Sequence, residues 1–489
     1  MSIDIKENKS RYLPEIDGLR AFAVIAVFIN HFNKQILPNG YFGVDIFFVI
    51  SGFVITSSLY KRPSKNLREF IREFYERRLR RLVPALSVFV LIMSISICLF
   101  NPNPGSSLKV GLSSLFGLSN ILLFQQYYDY FSQSIQLNTF THTWSLGVEE
   151  QFYILFPFMI WFSGFGRKTK NGPRNLFLTV GSLAIASLIS FLYLYPINQR
   201  AAYFLMPLRF WEIASGCLLF IWIQKKKSIK KFLEKVPTIF VLALIIWIMY
   251  LPMSWAAAST VAVVTLTALL IVSFKKQTLA YTIFTHPKVV YIGLISYSLY
   301  LWHWGILSIS RWTIGIHWWS LPFQILLTFV LAITSYQYIE TPLRTSKWFK
   351  KQWRTILVGG GVLAALAGGL FTLGKPLKGQ LYLGKNLSGT KQLGIKTLIK
   401  PYKINGYQGS WNGKDCVLSS NSEVGKKIKL EKCTLGNIEI ANKQVLVIGD
   451  SFSAAFVNAF DDLVKSKKFA VTIISSWGAS PIPELPNIT

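Results

Sequence analysis

Eleven apolar stretches, each near the length of a bilayer crossing, recur along 489 residues and constrain this chain more than any motif does. They lie near 20–36, 41–59, 82–100, 145–163, 176–194, 205–223, 236–251, 256–273, 289–309, 320–339 and 355–373. A crossing helix needs about 20 predominantly apolar residues. Backbone polar groups in lipid must be satisfied inside the segment, so stretches of this length read as helices. The expected fold is an all-α polytopic membrane domain of about eleven transmembrane helices. Composition agrees, with 52% hydrophobic and 15% aromatic residues and a mean hydropathy of +0.39. The net charge of +30 is carried by short clusters between apolar runs rather than by one folded face. That pattern points to a lipid bilayer, not a nucleic acid, as the partner.

The basic clusters orient the chain, because Lys and Arg accumulate in cytoplasmic loops. With the N-terminus inside and eleven crossings, the inner segments hold 31 Lys and Arg, and the outer connections hold only Lys34, Lys109, Arg200 and Arg311. A twelfth stretch, Leu108 to Phe124, is interrupted by Gly111, Ser113, Ser114, Gly117, Ser119 and Asn120. Counting it would turn the clusters at 167–174 and 225–235 outward, so residues 101–143 are read as an external or re-entrant loop. The C-terminal region then faces the periplasm or cell exterior. No cleavable signal peptide is expected, since the first twenty residues are polar and Arg20 sits at the base of the first apolar run.

Three parts follow: a membrane domain over 1–373, a loop-rich linker over 374–443, and the start of an α/β domain over 444–489. In the last part, KQVLVIGDSFSAAFVNAF reads as a buried strand (Val445 to Ile448), a Gly-Asp-Ser turn and a helix, and AVTIISSW reads as the next strand. About 45 residues of β-α-β cannot bury enough surface to stand alone, so this part reads as an incomplete domain. Cys98 and Cys217 lie in apolar runs, while Cys416 and Cys433 lie in the polar linker. The latter two form a disulfide if that segment faces an oxidising compartment.

Ionisable residues inside apolar stretches are costly and are functional hypotheses by default. His31 lies about 16 Å above Arg20 along one helix. By the same reckoning Asp45, Glu149, Glu150, Arg209, Glu212 and His303 fall in the outer half, and one shared polar pocket is expected. Blander readings stand beside this. Arg209 and Glu212, spaced i, i+3, also suit a mutually satisfied structural pair. His303, inside SYSLYLWHWG, reads first as an aromatic-belt residue at the interface. His31 also suits a satisfied bundle histidine, and Arg77, Arg78, Arg80 and Arg81 suit plain topology anchors. No resident metal or cofactor is expected.

The ordered blocks YLPEIDGLRAFAVIAVFINHF, NGYFGVDIFFVISGFVI, FYERRLRRLVPA, HTWSLGVEEQFYILFP, MPLRFWEIASG, ISYSLYLWHWGIL and YIETPLR resemble the acyltransferase-3 family. The likeness is to the subgroup with a C-terminal SGNH domain that O-acetylates surface polysaccharides. The resemblance implies an O-acetyltransferase of a bacterial inner membrane that takes acetyl from cytoplasmic acetyl-CoA, or another acyl-CoA, as donor substrate. The implied acceptor is a cell-envelope or lipid-linked glycan such as lipopolysaccharide O-antigen, with peptidoglycan as the alternative. It implies Arg20 and His31 as the essential pair, Arg78 and Arg81, with neighbouring Arg77, as acyl-CoA-facing arginines, and Glu149 and Glu150 as the acidic position. Guanidinium forks suit the donor's phosphates. His31 then acts as general base on a sugar hydroxyl or carries the acetyl group itself, with Glu149 or Glu150 orienting it. A transporter of acyl groups or lipid-linked sugars is the alternative from another class; it calls for broken helices at matching positions of two halves.

Gly449-Asp450-Ser451 resembles the SGNH nucleophile block, with Ser451 as nucleophile. The resemblance stops there, because the last histidine of the chain is His317 and the family's Asp-x-x-His block is absent. Ser451 is therefore expected to have no base within this chain.

Overall fold

The computed structural model describes residues 12–64, 66–126, 137–225, 233, 235–346, 348–349, 351–375, 377, 381–383, 416–418, 430–437, 441–449, 457, 460, 464 and 469–476. The chain divides into two compact units, Met1–Gly384 and Lys385–Thr489.

The first unit is helical: α1 (Pro14–Phe32), α2 (Gly43–Tyr60), α3 (Leu67–Phe100), α4 (Gly105–Leu115), α5 (Ser119–Gln126), α6 (Trp144–Phe162), α7 (Gly172–Leu194), α8 (Gln199–Phe204) and α9 (Met206–Lys225). There follow α10 (Thr238–Ile248), α11 (Ala256–Ser273), α12 (Leu279–Phe284), α13 (Pro287–Leu294), α14 (Ser296–Trp312), α15 (Leu321–Ser335), α16 (Thr341–Thr345) and α17 (Gln352–Gly374). Each of the eleven apolar stretches contains a helix. Among the described residues seven helices are long and apolar enough to cross a membrane, or eight if the bent pair α13 and α14 is one crossing. The other three fall short for physical reasons. α1 and α6 carry Glu15, Asp17, Arg20, Glu149 and Glu150, which lower their hydropathy. α10 has 11 residues, a rise of about 16 Å and half a hydrocarbon core. The protein is thus a multi-pass membrane protein, and among the described residues length and composition by themselves account for seven or eight of the eleven expected crossings.

Several boundaries move in ways that matter for the site. α1 begins at Pro14, earlier than the expected residue 20, because a proline suits the first turn, where its missing N–H has no helical partner, and Glu15 and Asp17 complement the helix dipole. Arg20 is therefore inside the helix, and His31 is in its last turn. The basic segment before residue 82 is not a loop: α3 runs unbroken from Leu67, opened by the Asn66 side chain capping the Arg68 N–H at 2.9 Å. The expected ninth span bends by 65° between α13 and α14. At that bend α13 presses on α1, where a Cβ on Gly293 would collide with the Asp17 carbonyl. A π-helical turn, Tyr336–Glu340, separates α15 from α16. Within 101–143, α4 and α5 are too short to cross, in keeping with Leu108 to Phe124 not being a span. α2 and α9 meet through small residues, since a Cβ on Gly52 or Gly216 would strike the opposing backbone at Ile213 or Val49. Close backbone approach of this kind drives helix association where lipid is as apolar as the side chains.

The second unit holds β1 (Val417–Leu418), β2 (Thr434–Leu435), β3 (Lys443–Gly449) and β4 (Phe469–Ser476). β3 and β4 pair in parallel from Lys443↔Phe469 to Gly449↔Ser475, as a β-α-β unit requires. β1 and β2 join the other edge of β4. The expected linker therefore contributes to this sheet, because the disulfide between Cys416 and Cys433 ties β1 and β2 together in one buried cluster with Val471 and Ile473. β3 corrects the expectation of a buried strand: it is an edge, with Val445, Leu446 and Ile448 exposed. Ser451 and Asp450 lie outside the described residues.

Candidate active site

Helical phase sorts the arginines of α3. Arg77 pairs with Glu73 at 3.1 Å and Arg80 with Glu76 at 3.6 Å, each one turn back, and Arg80 also donates to the Ser346 carbonyl at 2.7 Å. Arg78 and Arg81, spaced i, i+3, share a different face and line a cavity of about 140 Å³. The Arg78 guanidinium stacks over the Tyr153 ring, 4.5 Å from its centroid. The expectation for Arg78 and Arg81 thus gains a shaped site, whereas Arg77 points to a carboxylate partner outside it.

Arg20 lines the same cavity from α1, held by Asp17 at 3.4 Å, whose other oxygen accepts from the Tyr12 hydroxyl at 2.7 Å. Glu149 faces it from α6: one oxygen accepts from Ser51 at 2.8 Å and the other from Tyr153 at 3.0 Å. Glu150 is absent from the lining; its carboxylate packs where a Cβ on Gly117 would collide with it. At the far end Ser145 and the Tyr300 hydroxyl are 2.8 Å apart, and Tyr300 donates to the His142 carbonyl at 2.9 Å.

Beyond Tyr300 lies a histidine cluster. His31 Nδ1 is 3.0 Å from His303 Nε2, with the two rings 4° from parallel. Trp304 stands edge-on to His31 with centroids 4.8 Å apart. His142 stands at 79° to His303 at 5.7 Å, and its ring nitrogens have no hydrogen-bond partner among the described residues. His303 is 1% exposed, which corrects its reading as a belt residue. It corrects the choice of orienting group as well: the side chain bonded to His31 is His303, while Glu149 is bonded to Ser51 and Tyr153.

Asp45, Arg209 and Glu212 form a third group. Arg209 Nη1 lies 2.8 Å from Asp45 and 2.6 Å from Glu212, all three buried, and none lines the cavity. The single polar pocket expected from depth is therefore three separate clusters, because residues at one depth on different helix faces point in different directions.

A scan against family models matches residues 13–335 to the acyltransferase domain of the acyltransferase-3 family. The chain belongs to that family. O-acetyltransferase OatA of Staphylococcus aureus (strain NCTC 8325 / PS 47) is 34% identical over 359 residues, covering 70% of this chain and 58% of the relative. Peptidoglycan O-acetyltransferase OatA of Listeria monocytogenes serovar 1/2a is 32% identical over 399 residues, covering 74% and 63%. The chain thus spans about three fifths of the length of these relatives. No solved structure matches it.

Within the acyltransferase domain, the sequence reading missed Ser51, Ser145, Tyr153, Tyr300 and His142, and with them Tyr297, which lines the cavity and donates to the Leu82 carbonyl at 2.9 Å. Two signals were available. Tyr297, Tyr300 and His303 repeat at helical spacing, and Tyr153 stands one turn beyond Glu149. Ser51 and Ser145 carry no local signal; they matter only through partners far away in the chain.

Proposed function

We propose that this protein is a membrane O-acetyltransferase that moves acetyl from cytoplasmic acetyl-CoA to a hydroxyl of a cell-envelope glycan. The observation that carries the reading is the cavity lined by Arg20, Arg78, Arg81, Glu149 and Tyr300, with His303, the partner of His31, 5.4 Å from the Tyr300 ring. Arg78 and Arg81 sit where the positive-inside pattern puts the cytoplasm, the compartment that supplies a phosphate-bearing thioester. A cavity of this size takes the thioester end of such a donor, and His31 stands outside its lining, joined to it through His303 and Tyr300.

Two routes satisfy the chemistry. In one, His31 takes the proton of the glycan hydroxyl as its oxygen attacks the thioester carbon; the C–S bond breaks and the departing thiolate receives that proton. In the other, His31 attacks the thioester, CoA leaves, and the hydroxyl then takes the acetyl group from the ring. Of the acceptors raised by the sequence, the relative in Listeria monocytogenes, a peptidoglycan O-acetyltransferase, favours peptidoglycan over O-antigen. A transporter is less well supported, since the described residues contain one bent pair of helices rather than a matched set.

The test is acetyl release from labelled acetyl-CoA by purified protein in lipid nanodiscs, abolished in His31→Ala. Retained turnover in that variant moves the chemistry elsewhere. Mass spectrometry of envelope glycans with and without the gene identifies the acceptor; O-acetyl groups lost from O-antigen rather than peptidoglycan would reverse the choice. The proposed topology, with eleven crossings, predicts that a tag at Asn405 is labelled from outside the cytoplasmic membrane. Labelling only from the cytoplasmic side refutes it.

A further inference from the structure

We infer that His303 is a positioning residue that holds His31 in a single tautomer, with Nδ1 carrying the proton and Nε2 left bare to react. His303 Nδ1 lies 2.6 Å from the Tyr300 carbonyl and 3.2 Å from the Leu299 carbonyl. Carbonyl oxygens only accept, so this nitrogen must carry a hydrogen. A neutral imidazole has one N–H, and the Nε2 of His303 is therefore an acceptor. Its partner at 3.0 Å is His31 Nδ1, which must donate.

The geometry fits a directed bond rather than a stacking contact. The rings are 4° from parallel with centroids 5.2 Å apart. That separation is close to the N···N distance plus one ring radius at each end, so the hydrogen lies nearly in both ring planes, where such bonds are strongest. Trp304, edge-on at 4.8 Å, walls the side of His31 and limits rotation of its ring. His31 Nε2 makes no hydrogen bond among the described residues. Two helical carbonyls of α14 thus dictate, through one relay, which nitrogen of α1 is nucleophilic or basic. When Nε2 binds a proton or an acyl group, the Nδ1–H bond to a neutral acceptor stabilises the positive ring.

The inference rests on His31 being the reacting imidazole, and its test separates the two ideas. Full-length protein labelled with 15N-histidine in nanodiscs is examined by NMR, with His31 assigned by its loss in His31→Gln. The expected spectrum has His31 protonated at Nδ1 and bare at Nε2, and His303→Phe introduces the opposite tautomer. In parallel, acetyl release should fall about tenfold or more in His303→Phe, with the KM for acetyl-CoA within about twofold of the parent because His303 lies outside the donor cavity. His303→Gln, whose side-chain carbonyl can accept the same hydrogen, should recover most of the rate. A parent His31 protonated at Nε2 overturns the inference. So does undiminished turnover in His303→Phe, or a glutamine variant no better than phenylalanine. If the parent releases no acetyl while its tautomer is as stated, the proposed function falls and the tautomer assignment stands.

Discussion

Replacing Arg209 by methionine should destabilise the membrane unit far more than replacing the whole cluster. Its Nη1 lies 2.8 Å from Asp45 and 2.6 Å from Glu212, with the three side chains no more than 5% exposed. Three aromatic rings, of Trp144, Phe191 and Tyr203, surround the guanidinium at 5.1 to 5.7 Å. Methionine fills similar volume but leaves two carboxylates with no cation and no route to water. Breaking a buried pair in this way costs about 3–5 kcal/mol, whereas replacing all its members with hydrophobic residues of similar size is often neutral. A unit of some 370 residues has an unfolding entropy near 0.8 kcal/mol/K, so the single variant should melt roughly 4–6 °C lower. The triple variant Arg209→Met, Asp45→Val, Glu212→Leu should regain at least half of that. The assay is thermal unfolding of detergent-solubilised protein followed by size-exclusion fluorescence. A single variant within about 1 °C of the parent, or a triple variant less stable than the single, would refute a charge-satisfied structural cluster and return these residues to the list of site candidates.

Arg78→Ala and Arg81→Ala should each raise the KM for acetyl-CoA by roughly tenfold, with kcat little changed; unchanged KM values would make them topology anchors. Arg77→Ala, whose partner is Glu73, should alter KM less than twofold in the same assay. Tyr300→Phe loses the hydroxyl contacts to Ser145 and the His142 carbonyl, so it should destabilise by about 1 kcal/mol while making the ring easier to move; a melting temperature equal to the parent's would show that those contacts contribute nothing. Gly52→Val should force α2 from α9 and cut the yield of folded protein severalfold, as read by size-exclusion chromatography, and a normal elution profile would contradict the close approach. Cys416 and Cys433 should react with maleimide only after reduction, and removing both should cost the second unit about 3 kcal/mol. Labelling without reductant would show that the disulfide does not form.

The candidate site residues were legible because the membrane makes ionisable groups conspicuous. A guanidinium at Arg20 and an imidazole at His31 stand out of an apolar run for the same energetic reason that they must face protein or a cavity. The i, i+3 spacing of Arg78 and Arg81 was visible as well, although their separation from Arg77 and Arg80 became meaningful only once residues 67–81 proved helical. His303 was misread because its tryptophan-rich surroundings imitate an interfacial belt, and hydropathy carries no information about which face of a helix meets lipid. Glu149 and Glu150 adjoin in sequence yet diverge in space, one toward Ser51 and Tyr153, the other toward Gly117.

From the chain alone came the membrane class, the parallel β-strand pair and the identity of the costly polar groups, all consequences of hydropathy, charge and local spacing. Partner choice came from elsewhere. His31 with His303, Arg209 with Asp45, and Ser51 with Glu149 join residues separated by 272, 164 and 98 positions. Such pairings depend on helix rotation and packing at close-approach glycines, which periodicity does not encode, and they divided one expected pocket into an arginine-lined cavity, a histidine pair and a buried ion cluster.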